Sequence, residues 1–187
     1  RANFGDDSTM GDLPGLKVGY NVRQFAGVTG NGHYQWYFDR IKQDATGTEM
    51  AFYNYGWWDL NFDDLVYRHD YQQVDAASPA DLPTLAVFDD IGWVTIQKQM
   101  EDPDRHLQFV FKSSPYGSLS HSHGDQNAFV LYAYGEDLAI QSGPYHAFHS
   151  HMHLNWRRQT RPKHAVFFVG KGQYAEQDKS LSRLAAV

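Results

Sequence analysis

The stretch Asn127–Tyr134 (NAFVLYAY) is a run of aromatic, β-branched and small apolar residues, and it predicts a strand. Working outward, Gly135-Glu136-Asp137 predicts a turn, and Leu138–Gln141 a following strand. Upstream, His106–Lys112 (HLQFVFK) has the same character. Leu85–Phe88 and Trp93–Gln99 flank the turn sequence Asp89-Asp90-Ile91-Gly92. Downstream, Ala165–Val169 (AVFFV) predicts a last strand. Successive strands joined by tight turns imply an antiparallel sheet or sandwich.

Before Asp75–Pro83 (DAASPADLP) the apolar period is different. That segment holds two prolines and little apolar content, and reads as a linker with the domain boundary near residues 76–83. Ahead of it, residues 15–30 predict a helix with Leu16, Val18, Tyr20, Val22, Phe25, Ala26 and Val28 as its apolar face and Gly30 at its C-terminal end. His33–Gln43 predicts a second helix, antiparallel to the first because so few residues join them. Asp59–Asp70 predicts a third. The expected organisation is therefore helices over 1–75 and antiparallel strands over 76–187, an α+β chain.

Composition bounds the chemistry. Of 187 residues, 42% are hydrophobic and 16% aromatic, too many for a disordered chain. The net charge of -6 gives no electrostatic footprint for nucleic acid. No stretch approaches the roughly 20 apolar residues of a membrane-spanning helix. Cysteine is absent, which excludes disulfides, thiolate metal sites and a cysteine nucleophile. With 12 Tyr, 5 Trp and 10 His, the chain suits a surface that binds a hydroxylated ligand such as sugar. It opens on Arg1 and closes on Leu184-Ala185-Ala186-Val187, and is expected to be a piece of a longer polypeptide.

Seven of the ten histidines lie between His121 and His164. The sharpest group is Ser120-His121-Ser122-His123-Gly124-Asp125-Gln126-Asn127, directly before the strongest strand. In an extended segment alternate residues face one side, so His121 and His123 suit a shared metal or substrate. Two surface histidines at a loop–strand junction would read the same way. Small flanking residues leave room for a ligand, and Asp125 could orient a histidine. Arg157-Arg158-Gln159-Thr160-Arg161 is either a solvated face or a carboxylate clamp, since guanidinium forks bind carboxylates bidentately. His149-Ser150-His151-Met152-His153 has the composition of a metal tract, though its aromatic and Met neighbours point to packing.

Several segments together resemble the heparinase II/III-like polysaccharide lyases. They are His121–Phe129, Leu138–Tyr145, Arg158–Val166 and Gly170–Gln173, with Asn3–Asp7 and Thr29–Tyr37 similar to the family's last helical hairpins. The wording of Ser120–Asn127 is most similar to the oligoalginate lyases of polysaccharide lyase family 15. The resemblance implies a fold: the end of an α/α toroid followed by the start of an antiparallel β-sandwich domain. It implies β-elimination at a 4-O-linked uronate, with alginate oligosaccharides as the expected substrate and the remainder of the polypeptide as a partner. Such a lyase must neutralise the C6 carboxylate, remove the C5 proton and protonate the leaving O4. By resemblance His121 is the catalytic histidine of the β domain, and Tyr145, Arg158, Arg161, Gln126 and Asn127 contact substrate. His123 and His164 match the first and last ligands of a metal site.

Two departures stand out. The middle metal ligand of metal-containing relatives is an Asp, and here Gln141 takes its place; an amide is a poor Zn²⁺ ligand beside a carboxylate. No cofactor is therefore required, with zinc at a degenerate His123/Gln141/His164 site as the alternative. The family's catalytic tyrosine and its partner histidine belong to the toroid upstream of Asn3, so the isolated chain is expected to be inactive. Two other readings compete: a cupin-like His-x-His metalloenzyme, and a non-catalytic carbohydrate-binding module. Neither membrane nor nucleic acid is an expected partner, and the sequence leaves the compartment open.

Overall fold

A computed structural model describes Phe4 and residues 16–44, 72–114, 123–142, 150–167 and 169–173. It divides into two compact units, Asp12–Leu82 and Arg1–Gly11 with Pro83–Val187. The expected helix over 59–70 lies outside the described residues. No helix among the described residues is long and apolar enough to cross a membrane.

The first unit is built on a helical hairpin, α1 (Leu16–Thr29) and α2 (Gly32–Asp44). Gly30 ends α1: its φ of 70° is left-handed, and its N–H donates to the Ala26 carbonyl at 2.8 Å. Asn31 then starts α2, its Oδ1 accepting from the His33 N–H at 2.9 Å. The pairings Tyr20–Phe38 and Phe25–Tyr34 show that the helices run antiparallel, with ring centroids 6.0 and 5.8 Å apart. A Cβ at Gly19 would lie 3.1 Å from Ile41, so the absence of a side chain there lets the helices close.

One sequence expectation fails here. Phe25 and Val28 are 58% and 69% exposed, whereas Ala26 is fully buried. Positions 16, 18, 20 and 22 recur with period two, which on a helix scatters them around the axis. Phe25 and Val28 therefore do not share the buried face to which Ala26 belongs.

The second unit contains one sheet of five strands in chain order: β1 (Leu85–Phe88), β2 (Trp93–Lys98), β3 (Leu107–Lys112), β4 (Ala128–Ala133) and β5 (Glu136–Ala139). All neighbouring pairs are antiparallel. The antiparallel sheet is as expected; the second layer of a sandwich is not among the described residues. The β1–β2 turn needs glycine at 92, where φ is 65° and a Cβ would collide with the Ser113 carbonyl.

Two strands differ from expectation. The β4–β5 turn is the pair Tyr134-Gly135, at φ 57° and 78°, the signature of a type I′ hairpin. Glu136 and Asp137 therefore belong to β5 instead of to the turn. The described residues of Ala165–Val169 form no strand: Ala165 makes a single bridge to Ala128, and Val169 sits at φ 47°.

Alternation and register give the sheet two faces. One carries Leu85, Val87, Val94, Ile96, Phe109, Phe111, Phe129 and Leu131, apolar throughout, with Lys98 at its edge. On it Phe109 and Phe129 stack at 5.5 Å. The other face buries Val110, Ala128 and Val130 but also carries Lys112 and Trp93. Phe4 packs there, its ring 5.3 Å from Trp93 and 5.7 Å from the Lys112 ammonium.

Candidate active site

The loop that feeds β4 is tied at every residue from His123 to Asn127. His123 is buried, and its Nδ1 accepts from the Lys163 ammonium at 2.7 Å. The Gly124 N–H donates to the Arg158 carbonyl at 2.7 Å. Asp125 is fully buried and pairs with Lys112 of β3 at 2.6 Å. Gln126 is bound through its backbone. The Gln173 side chain accepts from its N–H at 2.9 Å and donates to its carbonyl at 2.6 Å, as a paired strand would. Asn127 takes φ 57°, a conformation Asn tolerates, and its Oδ1 accepts from Ser113 Oγ at 2.9 Å.

The partners of His123, Gly124 and Gln126 come from one returning segment, residues 150–173. It opens with a widened turn, His153–Arg157, in which the Arg158 N–H reaches back to the His153 carbonyl at 3.0 Å. Such one-turn π-helices recur at functional sites. His153 is fully buried, and its ring meets His123 edge-on at 6.3 Å. Thr160 links the two ends of the segment: its carbonyl accepts from the Lys163 N–H at 3.0 Å and its Oγ1 from the Gln173 N–H at 2.7 Å.

The residues expected at the site divide sharply. His121 and Tyr145 lie outside the described residues. His123, Gln126, Gln141 and Arg158 are buried, while Asn127, Arg161 and His164 are exposed. Arg158 at 2% exposure is not a solvent-facing clamp, and Gln126 is committed to holding the loop. Of the described residues expected to contact substrate, Asn127 and Arg161 are the ones that face solvent. Asp125 does not orient a histidine through its paired oxygen, which Lys112 takes.

Lys112, His153, Lys163 and Gln173 do much of the holding, and the sequence offered only faint signals for them. Lys163 immediately precedes His164, and neighbours in an extended chain point opposite ways. If one turns inward, the other turns out.

Residues 80–186 match the family described as Heparinase II/III-like, C-terminal, which is more than half of the chain. The chain belongs to the heparinase II/III-like family. Two solved structures share its fold. The "Heparinase III-BT4657 gene product" superposes with a TM-score of 0.60 at 17% identity, over 95% of this chain and 22% of its own. A mutant of heparan sulfate lyase HepC from Pedobacter heparinus gives 0.50 at 19% identity, over 86% of this chain and 20% of its own. This heparinase II/III-like chain thus spans about a fifth of the solved lyases it resembles. No curated protein matches it significantly.

The metal suggested by the sequence can be tested against the donors present. His164 is exposed, with its ring 5.4 Å from Phe129 on the apolar face, whereas His123 is buried against Lys163 and His153. Gln141 is buried and neutral, and among the described residues neither of its amide atoms has a hydrogen-bond partner. Among the described residues no three His, Asp or Glu side chains converge as ligands. The Lys163 ammonium, 2.7 Å away, occupies His123 Nδ1 in place of a metal. The donor set does not fit an ion in this arrangement.

Proposed function

We propose that the protein carrying this chain is a polysaccharide lyase that cleaves 4-O-linked uronate by β-elimination. The observation that carries the reading is the fastening of residues 123–127 within the family-matched region, directly after His121. The loop is tied to two lysines, a glutamine and an opposing backbone, the kind of fixed mounting that acid–base chemistry requires. His121 neutralises the uronate carboxylate or transfers a proton, and Arg161 and Asn127 meet the acidic sugar. The C5 base belongs to the rest of the polypeptide, so the isolated chain is expected to be inactive.

The narrower substrate is open to a direct comparison. Heparan sulfate is named for a solved relative, and alginate oligosaccharides follow from the wording of Ser120–Asn127. Both present a 4-O-linked uronate. Elimination leaves a conjugated double bond, so ultraviolet absorbance of the product reports turnover on either. The full protein should form such a product from one of these polymers. His121→Ala should lower turnover by about 10²–10⁴-fold with the fold retained. Product formation unchanged in that variant would remove His121 from the mechanism.

A further inference from the structure

We propose that Lys163 is a built-in cation of the histidine loop, holding His123 in the way a bound divalent ion would and making the loop independent of metal. The proposal stands apart from the lyase reading, because it concerns how the loop is held and none of its tests uses substrate.

Two observations converge on it. The Lys163 ammonium lies 2.7 Å from His123 Nδ1, and both residues are buried, at 8% and 3% exposure. They are 40 residues apart in sequence, so the contact joins the loop to the returning segment. A structural metal does the same work, joining ligands distant in the chain. Second, Lys163 is itself held: its N–H is bonded to Thr160, and Thr160 to Gln173, which grips Gln126 on the same loop. The ammonium therefore sits in a constructed place.

The arrangement has a chemical signature. An ammonium only donates, so Nδ1 accepts and the ring proton is confined to Nε2. Imidazole nitrogen resonances of His123 in the full protein should report that single neutral tautomer near neutral pH. Thermal unfolding should give the same Tm with a chelator, with added Zn²⁺ and with neither. Lys163→Met keeps the length and removes the charge; it should lower Tm by several degrees and release the tautomer. Lys163→Arg should hold the tautomer better than the Met variant does. Stoichiometric zinc in the wild-type protein, with His123 resonances that shift when a chelator removes it, would overturn the proposal. So would an unchanged Tm and tautomer in Lys163→Met. Should that variant fail to fold, the wild-type tautomer and chelator measurements decide alone.

Discussion

The two faces of the sheet are held by different physics. One is apolar from Leu85 through Phe129 to Leu131, with Leu85 and Val87 more than half exposed, and its contacts, such as the Phe109–Phe129 stack, are dispersion, which is non-directional. The other meets the histidine loop through Lys112 and Asp125, and the loop in turn depends on Gln173 and Lys163. Each of those links has a required donor and a required acceptor. The apolar face should therefore tolerate exchange of one hydrocarbon for another, while the polar side should fail one group at a time.

The largest expected effect on stability is Lys112→Met. It leaves the fully buried Asp125 carboxylate without its cation, and breaking a buried pair costs about 3–5 kcal/mol. Denaturant unfolding of the full protein would measure it. A loss similar to that of an ordinary surface substitution would dissolve the distinction between the faces. Gln173→Leu comes next. It strands the N–H and carbonyl of Gln126, and each buried group left unpaired costs about 1–3 kcal/mol. Gln173→Glu should restore the bond to the N–H but not the one to the carbonyl, and so fall between. Leu131→Met on the apolar face should cost less than about 1.5 kcal/mol, because volume is conserved.

The smallest effect is a pH dependence at His106, which joins Gln97 through Nε2 at 3.3 Å and lies against Tyr132. Burial, first of all, holds its pKa below the ordinary histidine value. The unfolded chain then takes up a proton at a pH where the folded chain does not. Stability contributed by the neutral ring is present above the unfolded value and is lost as pH falls through it toward the folded one. His106→Gln should flatten the acid side of a stability profile slightly.

Much of this was legible in the sequence where the pattern was local. Strands β1 to β4 follow from runs of apolar and β-branched residues, and Gly30 marks the end of α1. β5 was displaced because Tyr134 is not a residue that announces a type I′ turn, although Gly135 is. Ala165–Val169 reads as a strand by composition but makes only one bridge, since strand formation needs a partner that composition does not reveal. The site was legible in its histidines and not in its supports. Gln173 and Gln126 are 47 residues apart, and Lys163 and His123 are 40. No periodicity links such positions.

The order of the strands has a kinetic consequence. Every strand pairs with its successor in the chain, and no connection exceeds the 15 residues between β3 and β4, so the sheet can assemble pair by pair with modest loop closures. The returning segment must instead be brought back across 40 or more residues to reach the histidine loop. The sheet therefore outlasts the clasp: opening of residues 150–173 releases the loop while the hairpins persist. In hydrogen exchange the amides of Gly124 and Gln126 should trade ahead of those at the centre of β3 and β4, making the histidine loop quicker to loosen and later to form than the strands beside it.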